Sequence, residues 1–359
     1  MSERAAEYLL RVKGRDMGFR NIQYKGKVLT IHKAVTQPHF DEKTVLVTDT
    51  WDYVDLWLKR KKLAKARFYW GQARSFYDAT ETLSKTARPL TAYYCFLNAT
   101  KALLLAKGEK FSDAHGVTGY TAAGKTSLSN EIVKFKTGGI LPALCRHLGE
   151  PASNTTYSLK DLLYNLAYIH RAFDLTYHSS PELFVPIGDP RIVRSNHTHE
   201  AWFIAELTEK YASQNTVNRL PSAFEREQGE QDHYLVRLRH RFSWRPQQKP
   251  ASLRRYQNYH RRIRRHVHYI CGPQRLWYIK RNNNIDGHIL RSQMTITFAA
   301  MHKLSELSRY APDALASHFD CQHNWLLSEF LETAPLQFID EISSEMTGRE
   351  FMIPGRASR

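Results

Sequence analysis

The spacing of apolar residues changes character along the 359-residue chain, and the changes divide it into regions. Over the first fifty residues apolar positions come in short clusters between breakers. Lys27 to His32 (KVLTIH) and Thr44 to Val47 (TVLV) predict short strands, with Pro38 and nearby glycines as turns. From Trp51 the spacing becomes helical. Leu63, Ala66, Trp70, Ala73 and Tyr77 recur three or four residues apart, one face of a long amphipathic helix reaching about Lys85. Pro89 stands where a first helical turn accepts it, and Leu90 to Lys107 is apolar almost all round before Gly108 ends it. A helix without a polar face is normally buried, so this one is predicted to be the centre of an amino-terminal helical bundle. Residues 109–157 look loop-rich. Leu159 to about Tyr177 returns to helix, with Leu162, Leu166, Ile169 and Phe173 on one side.

In the middle of the chain the period drops to two. ELFVPIG (Glu182 to Gly188), AWFIAEL (Ala201 to Leu207) and RLWYIKR (Arg275 to Arg281) predict strands, and NNNIDG after them a turn. In HYLVRLRHRFSW, Val236, Leu238, His240, Phe242 and Trp244 alternate with Arg237, Arg239 and Arg241. A single strand would send the apolar set to the core and the three guanidiniums to the solvated face, about 7 Å apart. YHRRIRRHVHYI (Tyr259 to Ile270) fits a helix or a strand equally well. Helical spacing resumes from Ile289 through Met294, Phe298 and Met301 and stops at Pro312; a last pair of helices is predicted over Asn324 to Met346, broken near Pro335. The expected class is α+β, in four regions: a short β-rich segment (1–50), a helical core domain (51–180), a basic β-containing region (181–288) and an acidic helical region (289–359).

Charge makes the middle region the most informative one. Of the chain's net +17, residues 233–291 supply +14, from 13 Arg and 2 Lys against Asp286 alone. Such density repels itself and needs a polyanion or an acidic surface to offset it. Arginine prevails over lysine, and a guanidinium forks onto phosphate and stacks on rings. Nucleic acid is therefore the expected partner, bound by Arg237, Arg239, Arg241, Arg254, Arg255, Arg261, Arg262, Arg264, Arg265, Lys280 and Arg281, with Tyr256, Tyr259, Trp277 and Tyr278 nearby for base stacking. Residues 304–350 hold nine acids against two bases. This acidic end is expected to face the basic stretch, within the chain or in a second copy, or to meet a protein partner.

Other chemistry is sparser. GYTAAGKT (Gly119 to Thr126) satisfies the P-loop spacing letter for letter, but the polar FSDAHGVT before it is no buried strand, so a chance glycine-rich loop is the expectation. Arg171 and His178 fit the Arg-x4–6-His pattern of metal-independent HEPN ribonucleases, in which the His moves a proton and the Arg stabilises phosphorane charge. Arg261 with His266 and Arg262 with His268 satisfy the same pattern, and a helix-end histidine is also explained by the helix dipole. His318, Cys321 and His323, like His266, His268 and Cys271, have zinc-ligand types without a spaced second pair, so no metal is expected, and no cofactor motif is present. The four cysteines stand far apart, the amino-terminal MSERAAEYLLRVKGRD is charged too early for a signal peptide, and no apolar run approaches the roughly 18 residues of a membrane span. These features point to the cytoplasm and away from a membrane.

AKARFYWGQARSFYDATETLSKTARPLTAYYCFLNATKALLLAKG (Ala64 to Gly108), the His115-Gly116 pair and LSELSRYAP (Leu304 to Pro312) resemble the YaaC-like bacterial proteins. Ala87-Arg88-Pro89 leading into Tyr93-Tyr94 and Leu97-Asn98-Ala99 is the most specific part, and the resemblance runs discontinuously from about residue 56 to 340. It implies a helical amino-terminal half, a β-containing middle, a helical end and a bacterial cytoplasmic setting, with no catalytic residue to carry over. The paired helices also resemble HEPN-type domains. Three readings follow: a nucleic-acid-binding protein, a ribonuclease built on Arg171 and His178, and an assembly subunit docking an acidic protein.

Overall fold

The computed structural model describes residues 18–227, 234–272, 276–281 and 285–352. The amino-terminal MSERAAEYLLRVKGRD, His233, Arg275 and the asparagines of the NNNIDG turn lie outside them. The chain is α+β, as its patterning predicts, and it forms two compact units, neither of them contiguous in sequence. A sheet unit takes the residues up to Ile31 together with Ile187–Ile263, and a helical unit takes His32–Pro186 together with the residues from Arg264 onward. In chain order the α-helices of the described residues are α1 (Thr50–Arg60), α2 (Ala64–Thr82), α3 (Arg88–Ala106), α4 (Ile140–His147), α5 (Leu159–Tyr164), α6 (His170–Thr176), α7 (Gln214–Asn218), α8 (Lys249–Arg264), α9 (Gln293–Tyr310), α10 (Pro312–Phe319) and α11 (Asn324–Thr347).

The helical unit is built around α3, whose buried residues include Tyr93, Phe96, Leu97, Leu103 and Leu104. Its near-absence of a polar face allows α2, α9 and α11 to pack on it from different sides. Phe96 stacks on Phe338 of α11 with ring centroids 4.1 Å apart. Trp70 of α2 stands 4.4 Å from Trp51 of α1 and donates its indole N–H to the Trp51 carbonyl at 3.0 Å. Side-chain oxygens start several helices: Asp49 accepts from Trp51 N–H at 2.7 Å, and Ser292 from Met294 N–H at 3.2 Å.

Three predicted features of this unit differ in the structure. Residues 109–157 hold more than the predicted loops: Val117–Thr121, Glu131–Phe135 and Thr155–Ser158 form an antiparallel three-stranded sheet against α9. The strands are short and carry Thr, Gly and Glu, so their alternation is faint. The helix expected from Leu159 to Tyr177 is interrupted between α5 and α6. There Asn165 holds the bend, donating to Asp161 and Gly287 carbonyls at 2.7 Å and accepting from Ile289 N–H at 2.9 Å. Finally, Pro335 does not break the last helix. α11 runs 24 residues through it, because Phe330, Leu331, Phe338 and Ile342 are buried on both sides of the missing N–H. It ends at Gly348, whose φ of +72° suits glycine and where a Cβ would meet the Gln37 carbonyl at 2.6 Å.

In the sheet unit the strands Phe224–Arg226, Tyr234–Leu238, Glu200–Leu207 and Phe184–Ser195 lie side by side, antiparallel, in that order. Phe19–Asn21 pairs with the end of the last strand, and Phe242–Ser243 with the start of Glu200–Leu207. One sheet face carries Phe19, Val193, Trp202, Ile204 and Leu235. The other is covered by α8. Tyr259 of α8 stands 4.7 Å from Phe242, ring to ring, and its hydroxyl accepts Phe203 N–H at 2.9 Å. Tyr256 stacks 5.6 Å from Phe242 and donates to the Thr30 carbonyl at 2.8 Å.

Candidate nucleic-acid interface

The predicted arginine row on one long strand is corrected by the structure. HYLVRLRHRFSW splits into Tyr234–Leu238 and Phe242–Ser243, so the alternation holds only over the first piece. There Val236 and Leu238 are buried and Arg237 points to the opposite face, but that face is occupied. Arg237 donates to Glu225 at 2.8 Å and Glu227 at 3.4 Å, and its guanidinium lies 5.8 Å from the Trp202 ring. Glu225 is its direct cross-strand neighbour and also holds Arg239 at 3.3 Å. Arg241 pairs with Glu200 and lies 5.1 Å from the Trp202 ring. All three guanidiniums thus have carboxylates, supplied by neighbouring strands.

The interior claims more of the expected contacts. Arg264 donates to the main-chain carbonyls of Val267 and Lys33, and its charge lies over the Tyr269 and Trp277 rings at 5.5 and 5.1 Å. Burial lowers its pKa against the pull of Glu341, Glu345 and Glu350. Lys280 is buried with its ammonium 2.7 Å from the Ile289 carbonyl, and burial brings its pKa down to about 7. Arg281 is buried on the Glu182 carbonyl at 2.8 Å. Tyr256, Tyr259, Trp277 and Tyr278 are all buried, so the rings expected to stack on bases are core residues. Arg255 is half-buried, and its Nη1 makes no hydrogen bond among the described residues.

What is left at the surface is compact. Arg254, Asn258, Arg261 and Arg262 are exposed at i, i+4, i+7 and i+8 on α8, and exposed Arg265 follows the helix. The buried positions of the same helix, Ser252, Tyr256, Tyr259 and Ile263, make the complementary stripe. No acid occurs in α8, so no i, i+3 or i, i+4 carboxylate on the helix itself can neutralise these charges. Across its described residues the sheet unit holds 17 Lys and Arg against six Asp and Glu. Elsewhere in it, Arg20 and Arg194 are direct cross-strand partners, like charges side by side, and Arg194 has its pKa lowered by burial and by Arg20.

The remaining sequence candidates lie in the helical unit. Arg171 is exposed at the start of α6, 3.5 Å from Glu182, whereas α6 ends at Thr176 and His178 is exposed in the turn beyond. Neither residue bonds the other. GYTAAGKT begins on the strand Val117–Thr121 and turns into Glu131–Phe135, an antiparallel hairpin with no helix leading out. A Cβ on Gly119 would stand 2.3 Å from the Ile132 carbonyl, so this glycine permits close strand approach. His318 Nε2 bonds Glu131 at 2.9 Å and His318 Nδ1 bonds His323 at 2.9 Å, while Lys303 completes the buried group 3.0 Å from Glu131. His268 is buried on the strand Val267–Ile270 and is held neutral by desolvation and by Lys280 and Arg264. The described residues contain no group of three or more His, Cys, Asp or Glu side chains placed to hold a metal ion. No described helix is long and apolar enough to cross a membrane.

The acids of α11 also have their partners inside the helical unit. Asp340 binds Lys33 at 2.8 Å and the Tyr269 hydroxyl at 2.7 Å. Glu345 accepts from Val35 N–H at 2.6 Å, from both the N–H and the hydroxyl of Thr36, and lies 3.2 Å from His147. These bonds outweigh its burial and hold its pKa at about 2. Glu341, with Gln337 and Gln293 as donors, is instead raised by burial to about 7.

The family of YaaC-like proteins matches residues 32–346. The chain belongs to the YaaC-like family. No curated protein and no solved structure matches it. The segments that carry the YaaC-like resemblance meet at the α3–α9 seam. Tyr93 of α3 lies 4.9 Å from His302 of α9 and 5.4 Å from His115, ring to ring, and Arg309 donates to Tyr94. The match spans parts of both units of this YaaC-like chain, including all of α8.

Proposed function

We propose that the sheet unit of this YaaC-like protein binds nucleic acid through the outer face of α8, with Arg254, Arg261 and Arg262 on phosphates and Asn258 between them. The observation that carries this reading is the common exposure of these residues on one helical face without an acid. The unit's surplus of positive charge supports it, since the carboxylates of Glu200, Glu225 and Glu227 are already engaged by Arg241, Arg237 and Arg239. Because the nearby rings are buried, recognition runs through the phosphate backbone, and weak sequence preference is expected.

About three phosphate contacts would lower affinity roughly 40-fold between 50 and 200 mM salt, from a slope near −0.9 per contact. Fluorescence anisotropy with labelled single-stranded RNA and DNA, titrated at several salt concentrations, measures this directly. Binding that is insensitive to salt, or unchanged in the combined Arg254→Glu, Arg261→Glu, Arg262→Glu variant, would sink the proposal. Retained nucleic acid that a high-salt wash removes during purification, read from the 260/280 nm absorbance ratio, is the simplest first sign.

A further inference from the structure

A cleft of about 610 Å³ opens in the helical unit where the ends of α1 and α3 meet the turn after α11. Pockets for small ligands span roughly 300–1,000 Å³, so it has room for one. Tyr53 and Trp57, four residues apart on α1, contribute rings to its lining. Arg60, Lys61, Lys107 and Arg349 contribute positive charge, and among the described residues Glu42 is the one carboxylate of the lining.

Carboxylates balance the charges in this cleft only in part: Glu42 faces Arg349, and Glu345 acts on Lys107 against the burial that lowers its pKa. Arg349 takes Glu42 through its Nε, and its Nη1 reaches the Tyr53 hydroxyl at 2.6 Å. Lys107 is half-buried, and its ammonium has the neutral Gln37 amide oxygen at 3.0 Å. Lys61 lies 5.9 Å from the Trp57 ring centre. Among the described residues, neither Arg60 nor Lys61 forms an ion pair. Helix polarity explains part of the arrangement, because Arg60 and Lys61 end α1 and Lys107 ends α3. Two helix C-termini supply only about half a negative charge each. With Glu42 and the Glu345 carboxylate that acts on Lys107 counted as well, about one positive charge remains in surplus beside two aromatic rings.

A small anion with a flat ring would answer both features at once. We propose that this cleft binds a nucleoside phosphate, with its base against Trp57 and its phosphates on Arg60, Lys61 and Lys107. Guanidinium and ammonium groups suit phosphate oxygens, and an indole face suits a planar base. This site is separate in residues and in chemistry from the α8 face, and it stands whether or not that face binds a polymer.

Isothermal titration calorimetry on the full chain tests it with three probes: ADP, adenosine and pyrophosphate. ADP is expected to bind with a dissociation constant below 1 mM, and adenosine and pyrophosphate each at least tenfold more weakly. Trp57→Ala should weaken ADP tenfold or more and leave pyrophosphate unchanged, while Trp57→Phe restores most of the loss. The exposed pair Arg60→Met with Lys61→Met should weaken ADP and pyrophosphate together without unfolding the chain. The variant with Arg254, Arg261 and Arg262 changed to Glu should bind ADP as the parent does. No heat with millimolar ADP, full affinity in Trp57→Ala, or loss of ADP binding only in the α8 variant would each overturn the assignment.

Discussion

Arg237 and Arg262 belong to the same basic run, and both sit on regular elements, yet their surroundings differ. Arg237 meets Glu225 across the strand pair, with Glu227 and the Trp202 ring beside it. Arg262 stands with Arg254 on the outer face of a helix that has no acid of its own. The difference comes from where each element finds its side-chain neighbours. A strand residue is flanked by whatever the adjacent strand places opposite it, so its partner comes from elsewhere in the sequence. A helix residue is flanked mainly by its own i±3 and i±4 neighbours, which can be read directly. An arginine run therefore reports exposed charge far better on a helix than on a strand.

The largest test of that contrast is a pair of triple charge reversals. Changing Arg254, Arg261 and Arg262 to Glu should lower nucleic-acid affinity by about 10²–10³-fold at 100 mM salt and flatten the salt slope by about three. The same change at Arg237, Arg239 and Arg241 should act mainly on folding, read as a drop in melting temperature. If the strand set governs affinity in a folded protein, the contrast fails.

Lys280 sharpens the comparison from the buried side. Its folded pKa of about 7 lies below the ordinary lysine value near 10.4, so folding favours the neutral amine. That contribution is full above pH 10.4, declines as pH falls towards 7, and is gone below it. Lys280→Met should therefore gain on the parent by on the order of 4 kcal/mol between pH 10 and pH 6, the lost bond to Ile289 costing the same at both. Urea midpoints at the two pH values measure it, and a parallel pH response in both proteins would refute the buried assignment.

Next in size, Arg237→Ala should cost about 2 kcal/mol, because it leaves the enclosed Glu227 without its guanidinium and half-buried Glu225 with only the exposed Arg239. The smallest effect is expected for Arg239→Ala. Its side chain is 61% exposed and shares Glu225, so a loss under about 0.5 kcal/mol should be seen in the same denaturation assay.

Helices with a strong internal pattern are legible in the sequence itself. α3 is apolar almost all round and is buried as that implies, and α9 follows its Met294, Phe298, Met301 spacing. YHRRIRRHVHYI was ambiguous because it is both elements in succession: helix to Arg264, then the strand Val267–Ile270. Pro335 misled because a local rule was outweighed by packing on both sides of it. For the candidate surface, composition located the segment but not its exposed subset. Lys280 and Arg264 carry the same letters as Arg261 and Arg262, and only tertiary contacts separate them. The nucleoside phosphate cleft had no local signal, since Trp57, Lys107 and Arg349 come from three distant segments.

The division of the chain has a consequence for its synthesis. The polypeptide leaves the helical unit after Pro186 and re-enters it at Arg264, and the stack of Phe96 on Phe338 closes across that excursion. A ribosome must therefore deliver α11 before the apolar flank of α3 can be covered there, leaving it exposed on the nascent chain through most of translation. Chaperone dependence during expression, relieved once residues beyond Phe338 have emerged, is what this wiring requires of the cell.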